Sequence, residues 1–239
     1  MYLFGKNSIL ERLKKNPESI RKIFLCKNLH NTEILDLIKY NKIQVLYVEK
    51  EHLLSIKKTE RFQGVIAVAD EFKYTDFEDI LSKNLSIIFL DGITDPNNLG
   101  SIIRTCAGFG GFGLVIPKHR ACNINETVLN IASGGENYVP ISRVTNLSQS
   151  LKKAKDMGYW IAGGVVENGR NLYDTKIPFP VCLVVGSEGK GIHKGLFKEI
   201  DLRLTLPMQT SLSFNVAVAC AIFCYEIKRH FESVAKPLT

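Results

Sequence analysis

The sequence of 239 residues contains no long hydrophobic run, since the longest, from Val216 to Tyr225, spans only ten residues. A membrane-spanning helix needs about 20 apolar residues, so this run predicts a buried core helix instead. The first residues turn polar at once and show no secretory leader. Internal repeats and low-complexity tracts are also missing. These absences predict a globular cytoplasmic protein without a membrane segment.

The six cysteines lack the spacing of a metal site or of a disulfide framework. No CxxC pair and no Cys/His cluster at zinc spacing occurs. Reduced cysteine in an apolar stretch behaves as a small hydrophobic residue. Five of the six lie in such stretches: Cys26, Cys106, Cys182, Cys220 and Cys224. We therefore expect core cysteines and no bound metal.

Positive charge, in contrast, is in excess. The chain carries 31 Lys and Arg residues against 24 Asp and Glu residues, a formal charge of +7. Residues 1–72 alone hold 13 basic and 9 acidic residues, a surplus of 4. Nucleic acid is the commonest large anionic partner of such a protein. A generic basic surface is the alternative.

The first 70 residues alternate between helix and strand patterns. We expect helices at 8–15, at 32–40 behind Asn31 and at 51–56, and strands at 20–26, 43–48 and 65–69. Such alternation predicts a small α/β domain over residues 1–72. Residues 70–79 mix acidic and aromatic side chains without a clear period. A linker is therefore expected at residues 73–83.

The remainder, residues 84–239, predicts a second α/β domain. Continuous apolar strands are expected at 87–90, 114–116, 160–163, 181–185 and 202–206, which is typical of a parallel sheet covered by helices. Helices are expected at 99–107, at 126–132 behind Asn125, at 147–157, and from 214 to about 231 behind Ser213. The fold class is thus α/β in both domains.

Three segments of the second domain are expected to share one layout: an apolar strand, a loop rich in small and polar residues, and then a helix. They cover residues 86–105, 181–192 and 202–226. Loops that leave the carboxyl ends of parallel strands gather at one edge of the sheet and form the ligand crevice. The side chains expected to meet there are Asn98, Arg104, Glu188, Ser213 and Asn215. An enzyme site is the leading hypothesis.

Two glycine-rich motifs need separate interpretations. Residues 108–113 match GxGxxG, but the dinucleotide fingerprint needs a strand before it and a helix after it, and here the order is reversed. This disfavours a nicotinamide-dependent oxidoreductase. Residues 186–191 do not match a phosphate-binding P-loop either. Their main chain could approach a ligand closely, while a tight surface turn is the alternative.

The ordered motifs resemble a known family. Asn98-x-Gly100-x-x-x-Arg104, the GSEGxG loop at 186–191 and the stretch from Leu206-Pro-Met to Ser213-Phe-Asn215 are similar, in order and spacing, to the three motifs of the SpoU RNA ribose 2′-O-methyltransferases of the SPOUT superfamily. Residues 1 to about 72 also resemble the substrate-binding domain of the ribosomal RNA branch, an α/β domain like ribosomal protein L30e. The resemblance covers nearly the whole chain.

The resemblance implies several properties. The second domain is expected to carry a deep trefoil knot, to bind S-adenosylmethionine and to form a homodimer. The reaction implied is methyl transfer to the ribose 2′-hydroxyl of a guanosine in 23S ribosomal RNA. A transfer RNA methyltransferase and a non-catalytic RNA-binding protein of the same fold are the alternatives. Residues 1–72 could instead be a packing or dimerisation module.

The resemblance also implies roles for individual residues. The resemblance implies that Arg104 activates the 2′-hydroxyl. Because a guanidinium is a poor base, we instead expect Arg104 to orient the ribose and stabilise the developing alkoxide. The catalytic set is Asn98, Arg104, Glu188, Ser213 and Asn215. The cofactor is expected to contact Gly164, Gly186, Leu206, Met208 and Phe214. The family usually carries leucine where Phe214 stands, so the pocket is expected to differ in shape.

Overall fold

The structure, a computed structural model, describes residues 1–210 and 212–235. Contacts between Cα atoms divide the chain into two compact units. The first unit combines Met1–Lys73 with Ile124–Tyr138, and the second combines Tyr74–Asn123 with the chain from Val139 onward. The first unit is therefore discontinuous in sequence. The expected division into residues 1–72, 73–83 and 84–239 stays a prediction.

The described residues form eleven strands and eight α-helices. The strands are β1 Tyr2–Phe4, β2 Ile20–Cys26, β3 Val45–Val48, β4 Val65–Ala69, β5 Ser86–Asp91, β6 Phe112–Pro117, β7 Ile141–Val144, β8 Trp160–Gly164, β9 Arg170–Asn171, β10 Val181–Gly186 and β11 Leu202–Thr205. The α-helices are α1 Lys6–Lys15, α2 Thr32–Tyr40, α3 Lys50–Ile56, α4 Phe77–Leu81, α5 Pro96–Phe109, α6 Glu126–Ala132, α7 Leu147–Asp156 and α8 Val216–Ala235.

The first unit contains a four-stranded mixed sheet with the order β1-β4-β2-β3. Strand β4 pairs antiparallel with β1 and β2, and β2 pairs parallel with β3. Side chains of β2 alternate between the two faces of the sheet. Phe24 joins Leu53, Phe62 and Ile66 in one buried cluster. Burial of apolar side chains on the sheet holds the small unit together.

A buried ion pair ties residues 124–138 into the first unit. Arg12 Nη2 donates to Glu136 Oε1 at 2.9 Å, and both side chains are almost completely buried. Asn137 Nδ2 donates to the same oxygen at 3.1 Å. Burial raises the pKa of the Glu136 carboxyl, and the Arg12 charge opposes that rise. Because a buried charge is costly when its partner is lost, each member of the pair depends on the other.

The second unit contains a seven-stranded sheet with the order β7-β6-β5-β10-β8-β11-β9, and every pair is parallel. This confirms the parallel α/β sheet expected from the continuous apolar strands. Strand β10 lies in the middle of the sheet and is buried along its whole length. In its register Gly186 pairs with Asp91 of β5, and Val185 pairs with Gly164 of β8. The loops that follow these three strands therefore leave the sheet at one edge.

Both faces of β5 are buried. Ile87 and Phe89 belong to a core cluster that includes side chains of α4 and α7. Ile88 and Leu90, which are also fully buried, point to the opposite face because side chains alternate along a strand. Helices α5 and α8 pack against each other in the same unit. This packing fixes the orientation of α5, which begins just after β5.

Several short elements were not expected from the sequence. Strands β1, β7 and β9 have only three, four and two residues, too few for a clear alternation. Helix α4 has five residues and lies inside the segment expected to be a linker. Its Phe77, Ile80 and Leu81 are buried in the second unit. None of the helices within the described ranges is long and apolar enough to cross a membrane.

Candidate active site

The polar residues of the three motifs are placed by neighbouring strands. Asn98 lies in the first turn of α5, which follows β5, and Glu188 lies in the loop after β10. Helix α5 begins at Pro96 rather than at the expected residue 99, because proline suits the first helical position and Asp95 caps the helix. Asp95 Oδ1 accepts from the main-chain N–H of Asn97 at 2.9 Å.

Three of the expected site residues form one hydrogen-bonded network. Asn215 Nδ2 donates to Glu188 Oε1 at 2.6 Å and to Asn98 Oδ1 at 3.0 Å. Asn98 Nδ2 donates to the same Glu188 oxygen at 3.3 Å. The main-chain N–H of Val216 lies 3.4 Å from that oxygen. Residues separated by up to 117 positions in sequence are thus held in contact.

Asn215 also starts the last helix. Its Oδ1 accepts from the main-chain N–H of Ala217 at 2.9 Å, which is the bond that an N-cap residue makes. The expected start of this helix at residue 214 behind Ser213 was therefore wrong, since α8 begins at Val216. The side chain that caps the helix is the one that also bonds to Glu188 and Asn98. Tertiary contacts thus select the cap over the local serine signal.

Arg104 and Ser213 lie outside the network. Arg104 is exposed on α5 and makes no hydrogen bond or ion pair to any described residue. Six residues separate it from Asn98, a rise of about 9 Å along an α-helix. Ser213 is exposed in the loop before α8 and has no hydrogen-bond partner among the described residues. Their side chains remain free to contact a bound molecule.

The residues expected to contact a cofactor follow adjacent strands. Gly164 ends β8 and Gly186 ends β10, and Leu206 comes directly after β11. Gly186 has a clear structural requirement, because a Cβ atom there would overlap the main chain of Gly191 and Ile192. The main chain must therefore turn back on itself after β10 without a side chain in the way.

Met208 and Phe214 lie in the loop between β11 and α8. Phe214 is exposed, and Met208 is half-buried. The main chain of residues 206–208 makes no hydrogen bonds to the residues that the structure describes. Next to them, the Thr205 hydroxyl oxygen is buried and has no hydrogen-bond partner within the described part of the chain. The edge of the sheet formed by β8, β10 and β11 therefore has unused polar groups beside apolar side chains.

A cleft of about 1330 Å³ opens beside Glu188 and Asn98. The sequence did not predict this cleft, because most of the charged residues that line it lie outside the three motifs. Asp91 Oδ2 accepts from the main-chain N–H of His193 at 2.6 Å. Arg120, Lys190 and Lys194 also line the cleft. The only available sequence signal was that loops at this edge of the sheet meet.

Four of the five cysteines of the second unit pack within the core, and Cys122 is half-buried. Cys106, Cys182, Cys220 and Cys224 are buried, and burial raises the pKa of the Cys182 thiol. A thiol held in its neutral form is a poor nucleophile and a poor metal ligand. Within the described part of the chain, no three His, Cys, Asp or Glu side chains form a group suited to a metal ion.

Comparison with known proteins agrees with this arrangement. Residues 86–225 match the SpoU rRNA Methylase family, and residues 2–75 match a family described as RNA 2′-O ribose methyltransferase substrate binding. The chain is 33% identical over 236 residues to the 23S rRNA (guanosine-2′-O-)-methyltransferase RlmB of Nitrosomonas europaea. That alignment covers 95% of this chain and 91% of the relative.

Solved structures share the fold. The SpoU methyltransferase AviRb from Streptomyces viridochromogenes, crystallised with its cofactor AdoMet, superposes with a TM-score of 0.82 at 21% identity, covering 98% of this chain and 91% of that one. The A. aeolicus TrmH/SpoU tRNA modifying enzyme superposes with a TM-score of 0.57 at 28% identity, covering 66% of this chain and 86% of that one. Hydrogen bonds join one residue from each of the three motifs, and the family match covers all three motifs. The chain therefore belongs to the SpoU rRNA methylase family.

Proposed function

We propose that this protein transfers a methyl group from S-adenosylmethionine to the ribose 2′-hydroxyl of a guanosine in 23S ribosomal RNA. The observation that carries the proposal is the Asn98–Glu188–Asn215 network, which joins all three motifs at one edge of the sheet. The relative named RlmB, at 33% identity, supports the guanosine and the ribosomal substrate. A cytoplasmic location follows from such a substrate.

The edge formed by β8, β10 and β11 fits S-adenosylmethionine. That molecule has an adenine ring, hydroxyl groups and a zwitterionic amino acid end, so it needs apolar surface beside polar groups. Leu206 and Phe214 supply apolar side chains, and the unpaired main-chain groups of residues 206–208 supply donors and acceptors. The Thr205 hydroxyl is a further unpaired polar atom nearby. Gly164, Gly186 and Met208 complete the proposed contacts.

When bound, S-adenosylmethionine would supply an electrophilic methyl group on its sulfonium sulfur. Transfer of this methyl group to the ribose oxygen would form a C–O bond, break the C–S bond and release the hydroxyl proton. This chain's residues hold and orient the ribose. Holding two reactants in reactive geometry can contribute about 7–11 kcal/mol. Both asparagine side chains donate to one carboxylate oxygen of Glu188. We propose that Glu188 accepts a hydrogen bond from a ribose hydroxyl.

Arg104 and Ser213 are proposed to act on the RNA rather than on the network. Arg104 carries a fixed positive charge and has no partner among the described residues. A guanidinium stabilises a developing alkoxide through charge and hydrogen bonds, but it does not remove protons at neutral pH. Arg104 is therefore proposed to orient the ribose, and Ser213 to donate to the RNA. The proton passes to a phosphate oxygen or to water.

We also propose a homodimer through the second unit. A depression of about 550 Å³ lies between α5 and α8, with polar residues on the α5 side and apolar residues of α8, among them Val218, Ile222 and Tyr225, on the other. Val218 and Tyr225 are about half exposed in the single chain. Exposed apolar side chains grouped on one helix face are typical of an interface. A solution mass of one chain at micromolar concentration would contradict the dimer.

The resemblance further supports a trefoil knot in the second unit. In the sheet, β10 lies between β5 and β8, so a late strand is inserted at the centre. Residues 1–72 are proposed to bind the RNA, in agreement with their substrate-binding family match. Structured RNA displays phosphates and 2′-hydroxyls that such a domain can contact without reading base edges.

The decisive experiment supplies methyl-labelled S-adenosylmethionine with unmodified 23S ribosomal RNA or with transfer RNA. We expect label on ribosomal RNA as 2′-O-methylguanosine. Arg104→Ala should abolish the label, and Arg104→Lys should restore little, because lysine lacks the planar fork of donors. Arg229→Ala is the control, because Arg229 is exposed and bonds, among the described residues, to Glu226 alone.

Other outcomes separate the alternatives. Label on transfer RNA alone would keep the enzyme and overturn the ribosomal substrate, an alternative that the similarity to the A. aeolicus tRNA modifying enzyme makes worth testing. RNA binding without label on either RNA would favour a non-catalytic RNA-binding protein. In that case S-adenosylmethionine should also fail to bind in calorimetry.

A further inference from the structure

The cleft beside Glu188 has a size and composition that the reacting ribose alone does not explain. Its volume of about 1330 Å³ exceeds the roughly 300–1,000 Å³ of a pocket for one small molecule. It extends from Asn98 and Glu188 to the ends of β5 and β6 and to the start of α7. All of these elements belong to the second unit. The cleft therefore has room for an extended chain rather than a single nucleotide.

Three cations line this cleft: Arg120 after β6, Lys190 in the loop after β10, and Lys194 just beyond it. All three are exposed, and none makes an ion pair within the described ranges. His119 and His193 also face the cleft. His193 Nδ1 accepts from the main-chain N–H of Gly195 at 3.2 Å.

The acidic side chains that face the same cleft are already engaged. Asp91 accepts from the main chain of His193, and Asp95 accepts from the main chain and side chain of Asn97 at 2.9 Å. Glu188 accepts from the two asparagine side chains of the network. The formal charges of acids and cations balance. The carboxylates already accept hydrogen bonds within the protein, whereas the charged groups of the three cations have no hydrogen-bond or ion-pair partner among the described residues. An anionic ligand would therefore meet unpaired positive groups.

Two α-helices add positive ends to this wall. Asn98, in the first turn of α5, lines the cleft. Helix α7 begins at Leu147 after its cap Asn146, and these two residues also line the cleft. A helix N-terminus favours negative charge because its first N–H groups have no partner within the helix. The helix ends reinforce the cationic side chains, which remain the principal feature.

We infer that Arg120, Lys190 and Lys194 bind phosphodiester groups of the RNA strand next to the methylated ribose, so that this cleft sets the path of the RNA backbone through the site. The inference rests on the proposed function, since it takes RNA as the substrate. It assigns these residues a positioning role. Phosphate contacts fix the register of a nucleic acid without reading its sequence.

The test measures how RNA affinity changes with salt. The full chain is titrated with an unmodified 23S ribosomal RNA transcript, and with an RNA of equal length and unrelated sequence, between 50 and 200 mM salt. Each phosphate contact contributes about 0.7–0.9 to the slope of log affinity against log salt. Lys190→Gln, Lys194→Gln and Arg120→Gln should each lower the slope by that amount on both RNAs. Between 50 and 200 mM salt, the affinity of each variant for RNA should therefore fall by a factor about threefold smaller than the affinity of the wild type.

Lys176→Gln is the matched control, because Lys176 is exposed, makes no ion pair to the described residues and lies outside the cleft. Its slope should equal that of the wild type. Binding of S-adenosylmethionine by each variant shows that the loop after β10 is intact. For the methyl transfer, the cleft variants should raise KM for RNA and leave kcat within about twofold.

The outcomes distinguish this inference from the proposed function. If the wild type methylates RNA and the cleft variants keep the wild-type slope and KM, the inference is overturned and the function stands. If the wild type binds RNA without transferring methyl, the function fails, and a reduced slope in the variants would still support the cleft. A slope change on only one of the two RNAs would indicate base recognition and overturn the backbone role.

Discussion

Asn215→Ala tests whether the three-residue network holds the site together. The substitution removes one helix cap and the two hydrogen bonds that Asn215 Nδ2 donates, to Glu188 and Asn98. A helix cap contributes about 1 kcal/mol. Each hydrogen bond contributes about 1 kcal/mol. The bond to the charged Glu188 contributes no more than this, because the Glu188 side chain is exposed to solvent. The expected loss is about 3 kcal/mol.

A loss of that size should lower the Tm by roughly 6–12 °C, since about 1 kcal/mol shifts a domain of 150–250 residues by 2–4 °C. The measurement is thermal unfolding followed by fluorescence of Trp160. That residue is the single tryptophan of the chain and begins β8, so its signal reports the second unit. The loss should appear without any ligand present.

Asn97→Ala is the matched control, because Asn97 is an exposed asparagine on α5 whose side chain bonds, among the described residues, to Asp95 alone. Its effect should stay within about 0.5 kcal/mol. The double variant with Glu188→Ala should be about 1 kcal/mol more stable than the sum of the single changes predicts. Equal Tm values for Asn215→Ala and Asn97→Ala, or strict additivity in the cycle, would refute the network.

Two further substitutions test other parts of the fold. Gly186→Ala places a Cβ atom against the main chain of the following loop. This overpacking should cost about 3 kcal/mol and abolish S-adenosylmethionine binding. Gly108→Ala, which meets nothing within 4 Å on α5, should be neutral or stabilising by about 0.5–1 kcal/mol in the same thermal assay. Arg12→Met leaves Glu136 buried without its cation and should destabilise the first unit by about 3–5 kcal/mol in denaturant unfolding at pH 7. Burial raises the pKa of Glu136 above 4.5, so its contribution to stability is complete below pH 4.5 and falls as the pH rises through the folded-state pKa. Arg12→Met removes the charge that opposes this rise in pKa and should extend the loss of stability to higher pH. An unchanged pH profile would contradict the ion pair.

Local chemistry explains why much of the fold could be predicted. Asn31 and Asn125 were expected to cap helices, and each accepts a hydrogen bond from the main-chain N–H three residues further on. A cap bond depends only on residues within one turn. The bounds of β2, β4, α2 and α6 were also predicted, because their apolar patterns are continuous or periodic over their whole length.

Long-range contacts explain what the sequence could not reveal. The side chain that caps α8 is chosen by bonds to Glu188 and Asn98, which are 27 and 117 positions away. The partner of Arg12 lies 124 positions further along the chain. No local pattern encodes such pairs. The cleft beside Glu188 was missed for the same reason, since Arg120 and Lys194 come from loops after different strands.

The discontinuity of the first unit has a consequence for how the chain folds during its synthesis. Residues 1–73 end 65 positions before Tyr138, the last residue of that unit. At about 5–20 residues per second the ribosome adds those positions in roughly 3–13 s. Until then Arg12 lacks Glu136, and β1 lacks Glu126, whose carboxylate accepts from the main chain of Tyr2 at 2.6 Å. The amino-terminal unit therefore completes its fold only after β5, α5 and β6 of the second unit have already been translated.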